Sequence, residues 1–135
     1  MIQTFDTDNV LFDVLKASLD LTSSINGGIY VGGERPDNSV KEDIVINTID
    51  LTQDLPQRGT SNVNIHVADI DVKIQGTNQK KANNKRMKEL TTKVLSALTA
   101  AKITGLNYWI TNQNVIKEAE SNQHFVNLRI EFSIH

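Results

Sequence analysis

Hydrophobic positions recur along this chain with two periods, and the change from one to the other marks out its elements. In "DTDNVLFDVLKASLDLTSSINGG" Val10, Leu11, Val14, Leu15 and Leu19 fall three and four residues apart, which is the apolar stripe of an amphipathic helix. Asp6 or Thr7 is placed to cap its first amides, Asp8 suits the positive end of the helix dipole, and Gly27-Gly28 is expected to end it through freedom in φ. "GIYV" then reads as a very short strand, and "GGERPDNS" as a loop built of turn formers.

"EDIVINTIDL" is the next strand. Its apolar positions change phase, from Ile44 and Ile46 to Ile49 and Leu51, which predicts a bulge or burial on both faces. In "SNVNIHVADIDVKI" Val63, Ile65 and Val67 alternate cleanly, then Ile70, Val72 and Ile74 resume on the opposite parity, so a bulge is expected near Ala68-Asp69. The polar stretch Thr52 to Asn62 between these strands reads as a long hairpin tip.

A second, longer helix is expected from about Thr77 to Lys102, with Met87, Leu90, Val94, Leu98 and Ala101 on one face. "GLNYWI" and "QNVIKEAE" read as two strands. "HFVNLRIEFSIH" is a last one, with Val126, Leu128, Ile130, Phe132 and Ile134 on one face and Asn127, Arg129, Glu131 and Ser133 on the other. The expected architecture is therefore α+β: a mainly antiparallel sheet with two helices packed on one face, in a single domain over residues 1–135. The polar face of the last strand is left for water or another subunit.

Composition narrows the function classes. At 135 residues, 39% of them hydrophobic, the chain can bury one core. It has no cysteine, so disulfides, thiolate metal sites and cysteine nucleophiles are all excluded. No run of 18 apolar residues and no basic-then-apolar start is present, so neither a membrane span nor a signal peptide is expected, and the chain is expected to fold in the cytoplasm. The net charge of −2 hides an uneven layout. Residues 1–72 carry twelve acids against four bases, and residues 73–102 one acid against eight bases. Such polarity suits self-association or docking on an acidic partner.

Catalytic patterns are missing. Gly27-Gly28 and Gly32-Gly33 flank a short strand and are followed by Glu34, so they lack the strand-glycine-helix context of a phosphate loop. His124 and His135 lie about 36 Å apart along one strand at roughly 3.3 Å per residue, and His66, near Asp69 and Asp71, has no histidine partner at ligand spacing and is read as an exposed strand-face residue. No enzyme, cofactor or metal is expected. The run Lys80, Lys81, Lys85, Arg86, Lys88 is read as the opening of the second helix, where positive charge opposes the dipole. No aromatic platform accompanies these bases, which argues against nucleic acid and for the acidic surface of a neighbouring subunit. Trp109 has the opposite parity to Leu106, Tyr108 and Ile110 and is expected to face outward, either at a subunit contact or beneath helices or loops that cover the second face of the sheet.

The element order, with "GGIYVGGERPDNSVKEDIVINTI" leading from the first helix through a Pro-containing loop to a strand, then "SNVNIHVADIDVKI", a long helix and closing strands, resembles the tail completion and tail terminator proteins of long-tailed phages. The resemblance runs over nearly the whole chain. It implies a non-enzymatic part of a virion, assembled in the host cytoplasm or encoded by a prophage. Its subunits would form a ring, commonly a hexamer, that caps the tail tube and offers a surface to head connector proteins. A ring needs two different patches of one subunit to meet, and the charge layout supplies them: Arg35, Asp37 and Asp54 on loops, Lys81, Lys85 and Arg86 on the helix, with Trp109 as a further interface candidate. The alternatives are a connector or adaptor that binds its partner without forming rings, and a nucleic-acid-binding regulator.

Overall fold

A computed structural model describes residues 1–118 and 120–135. In chain order the elements are α1 (Thr4–Lys16), α2 (Leu19–Ser24), β1 (Ile29–Val31), β2 (Ile44–Leu51), β3 (Gln57–Ala68), β4 (Ile70–Ile74), β5 (Thr77–Lys81), α3 (Asn84–Ala100), β6 (Leu106–Glu118) and β7 (Gln123–Ile134). The fold is α+β. Its main sheet has the order β1-β2-β3-β7-β6, with β1 parallel to β2 and every other pair antiparallel. β4 and β5 form a separate two-stranded sheet.

The helices cover one face of the main sheet. Leu11 and Leu15 of α1, Leu21 of α2 and Met87, Leu90, Val94 and Leu98 of α3 pack on Ile44, Ile46, Val63, Ile65, Val126, Leu128 and Ile130. Burying each of these side chains stabilises the fold by about 1.5–3 kcal/mol before the entropy of ordering is subtracted. The alternation predicted for β7 and for Val63, Ile65 and Val67 of β3 is the one observed, and β2 carries the expected irregularity, between Thr48 and Asp50.

Several expectations need correction. The first helix is two helices, because Ser18 accepts a hydrogen bond from the Leu21 amide at 3.3 Å and starts a new helix at Leu19. Neither Asp6 nor Thr7 is the N-cap of α1. Gln3 takes that place, and the Asp6 carboxylate accepts its amide at 2.7 Å. The long helix begins at Asn84 and not near Thr77, capped by Asn83, whose side chain accepts from the Arg86 amide at 3.2 Å. Lys80 and Lys81 consequently lie on β5, outside the helix.

The change of parity at Ala68-Asp69 is no bulge: the chain leaves the main sheet there. The Asp69 amide donates to the Asn122 carbonyl at 2.9 Å and its carboxylate meets His124 Nδ1 at 2.6 Å, fixing the exit. The loop before β3 is shorter than expected, since pairing resumes at Gln57. "GLNYWI" and "QNVIK" are one strand, β6, whose register with β7 shifts between Ile110 and Asn112.

Candidate interaction surfaces

Arg35 ties the long loop between β1 and β2 to the sheet. Its Nε donates to Asp43 Oδ2 at 2.8 Å, Nη1 lies 3.1 Å from His66 Nδ1, and Nη2 donates to the Ser39 carbonyl at 3.1 Å and to Gln123 Oε1 at 2.8 Å. Asp43 also accepts from Ser39 Oγ at 2.6 Å and from the Gly28 amide at 2.9 Å. A Cβ on Gly27 would stand 2.0 Å from Asp43 Oδ1, so glycine is required for this close approach. Gly27 and Gly28 do not have positive φ, and the expected role in ending the helix is replaced by one in admitting this carboxylate. An internal carboxylate thus occupies the backbone amide that a phosphate loop would offer to its ligand.

His66, expected on an exposed strand face, is buried at 7% exposure, with the Phe125 ring 5.0 Å away between centroids. Its Nδ1 is 3.1 Å from both Arg35 Nη1 and Glu118 Oε1. Burial and the Arg35 guanidinium hold the imidazole below its ordinary value, against the pull of Glu118 and Asp43. The neutral ring therefore accepts from Arg35. Burial disfavours the charge on Asp43, but hydrogen bonds from Arg35, Ser39 and Gly28 outweigh it and hold its carboxyl below the usual range.

Arg86 makes a second clasp. Its Nε donates to Glu42 Oε2 at 2.6 Å, Nη2 donates to Glu42 Oε1 at 2.9 Å and to the Ser24 carbonyl, and Nη1 reaches Glu89 at 3.2 Å. The hydrogen bonds from Arg86 hold the Glu42 carboxyl below its ordinary range despite partial burial. All three groups have folded values lowered from unfolded values of 6.5 for His66, 4.5 for Glu42 and 3.8 for Asp43. The unfolded chain takes up these protons first. Stability is thus expected to be full above about pH 6.5, to decline below it as His66 is driven to protonate, and to fall again as pH drops past about 4.5 and the two carboxylates follow. Urea titrations across pH should show both stages, and His66→Asn should abolish the upper one; an unchanged upper stage in that variant contradicts the assignment.

Of the residues expected at an interface, Arg35 and Arg86 are therefore engaged within the chain. Asp37 is exposed on the loop that Arg35 anchors, Asp54 is exposed between β2 and β3, and Lys81 and Lys85 are exposed on β5 and α3. These residues do not form one cluster. Trp109 faces away from the helices, 48% exposed and opposite Glu131 of β7, while Tyr108 and Ile110 pack against the core. Around it the uncovered face of the sheet is rich in asparagine, with Asn64 and Asn127 paired in register and bonded at 2.7 Å. β6 forms the edge of the sheet, and its residues from Thr111 to Lys117 are all exposed.

The β4–β5 hairpin is the feature that sequence periodicity missed. Gln75 and Gly76, with φ of 52° and 79°, form its two-residue turn; positive φ at both central positions matches the right-handed twist of paired strands. Ile70, Val72 and Ile74 share one face of it, and among the described residues the hairpin makes no substantial packing with any other element. The usable signals were Gln-Gly between two five-residue runs and the lack of any apolar residue from Thr77 to Lys81.

No protein-family model matches the sequence, and no curated protein matches it either. Among solved structures, a chain from the virion of a native gene transfer agent particle superposes with a TM-score of 0.51 at 8% sequence identity, covering 92% of this chain and 90% of that one. At that identity the likeness is one of fold, and it extends over nearly the full length of both chains.

Proposed function

We propose that this chain is a non-enzymatic structural subunit of a phage tail or a tail-derived particle, a tail terminator that assembles into a ring, hexameric in the simplest case, between the tail tube and the head connector. The observation that carries this reading is the fold shared, end to end, with a component of a virion particle. The surface agrees with it. The charged residues most tightly held, Arg35, Asp43, Arg86 and Glu42, are spent on fixing loops. The exposed ones are divided between an acidic N-terminal half and a basic stretch from Lys73 onward, as a contact between two different patches requires.

Electron microscopy of particles from cells carrying this gene, labelled with an antibody to the protein, tests the assignment. Label at the junction of tail and head is the expected result. Label confined to the head shell or the distal tail tip would contradict it.

A further inference from the structure

The β4–β5 hairpin and the opposite end of the molecule are complementary in both apolarity and charge. β3 has the hairpin at one end, after Ala68, and the loop from Thr52 to Pro56 at the other, before Gln57. The two ends are separated by roughly 36 Å at about 3.3 Å per residue.

A lone two-stranded hairpin is marginally stable in water. This one nonetheless exposes an apolar stripe: Ile70 is 41% and Ile74 37% exposed, with Val72 between them. Its charged residues are Asp71, Lys73, Lys80 and Lys81, a net of +2. Lys80 is paired with Asp71 at 2.9 Å, and among the described residues Lys73 and Lys81 make no ion pair.

At the far end, hydrogen bonds gather three segments. The Gln57 side chain bonds Ile2 and Thr52, and Thr48 bonds Thr7 and Asp8. The first turn of α1, the end of β2 and the following loop therefore lie together. They expose Phe5 at 71%, Ile49 at 49% and Leu55 at 80%. The charges at this end are Asp6, Asp8, Asp50 and Asp54 against Arg58, a net of −3.

We infer that the hairpin of one copy docks on the Phe5, Ile49 and Leu55 patch of a second copy, its Ile70, Val72 and Ile74 stripe covering the apolar side chains while Lys81, which pairs with Ile70 and shares its face, meets Asp50 and Asp54. The partner is a second copy because one chain carries both halves, too far apart to meet within it. The contact is heterologous, so it propagates: it closes into a ring if the rotation per subunit divides a full turn, and otherwise grows as an open filament. The inference rests on the reading of this chain as a self-assembling subunit and gives that assembly its contact.

The test uses charge reversal and restoration in the full-length chain. Lys81→Glu and Asp50→Lys/Asp54→Lys are each expected to weaken association by about tenfold or more, and the chain bearing all three changes to recover most of it. Light scattering reads the mass and circular dichroism checks the fold. The absence of native cysteine allows a second measurement: Ile74→Cys mixed with Leu55→Cys should give a disulfide-linked dimer under mild oxidation, faster than either variant alone. A closed ring that neither reversal weakens, with no mixed disulfide, overturns the docking and leaves the ring reading standing. Open filaments that both reversals disrupt and the combined variant restores support the docking and contradict the ring.

Discussion

Replacing Arg35 with alanine should lower the free energy of unfolding by about 3–5 kcal/mol, because it leaves a buried carboxylate without its countercharge. The Asp43 side chain is 1% exposed and that of Arg35 17%, so the substitution leaves the carboxylate inside the protein without the guanidinium that pairs with it. The same change frees Gln123 Oε1, which Arg35 bonds at 2.8 Å, and leaves the Ser39 carbonyl with Gln123 as its remaining donor. Lysine should recover only part of the loss, since a single ammonium cannot serve partners that the planar fork reaches in several directions. Urea denaturation reads the effect directly, and a loss below about 1 kcal/mol would show that the clasp is not what anchors the loop.

Gly27→Ala should be nearly as damaging, by about 3 kcal/mol, although it adds only a methyl group. That methyl would stand 2.0 Å from Asp43 Oδ1 and 2.5 Å from the Glu42 carbonyl, and the second atom is backbone and cannot swing away. The carboxylate would have to retreat from the Gly28 amide and from Arg35 together. The two substitutions therefore act on one network, and the double variant should lose clearly less than the sum of the single losses. Full additivity would mean that Gly27 matters for some reason other than admitting Asp43.

What periodicity can see is a regular element with one buried face. The stripe from Met87 to Leu98 and the alternation from Val126 to Phe132 were legible for that reason, as was the outward parity of Trp109. The misreadings share a physical origin in polar side chains that act locally. Ser18 restarts a helix and Asn83 starts one without changing the apolar period, and at Asp69 the change of parity marks the chain leaving the sheet and not a bulge. The hairpin escaped because its two strands bury almost nothing, so β5 has no apolar pattern to read.

The candidate interface was legible only as charge. The sequence separates an acidic half from a basic stretch, but it does not distinguish a charge already paired at home from a free one. Arg35 and Arg86 look like Lys81 and Lys85 in one dimension, and only the positions of Asp43 and Glu42 show that the first two are engaged. The same limit hid the apolar patch, since Phe5, Ile49 and Leu55 lie on three segments that hydrogen bonds of Gln57 and Thr48 draw together.

Light scattering coupled to size exclusion, on the wild-type chain at low and high salt and with negative-stain images of the same peak, tests self-assembly most directly. Closed rings of about six subunits that loosen as salt screens the contact between unlike charges are the expected result. A monomer at every concentration and salt would contradict it.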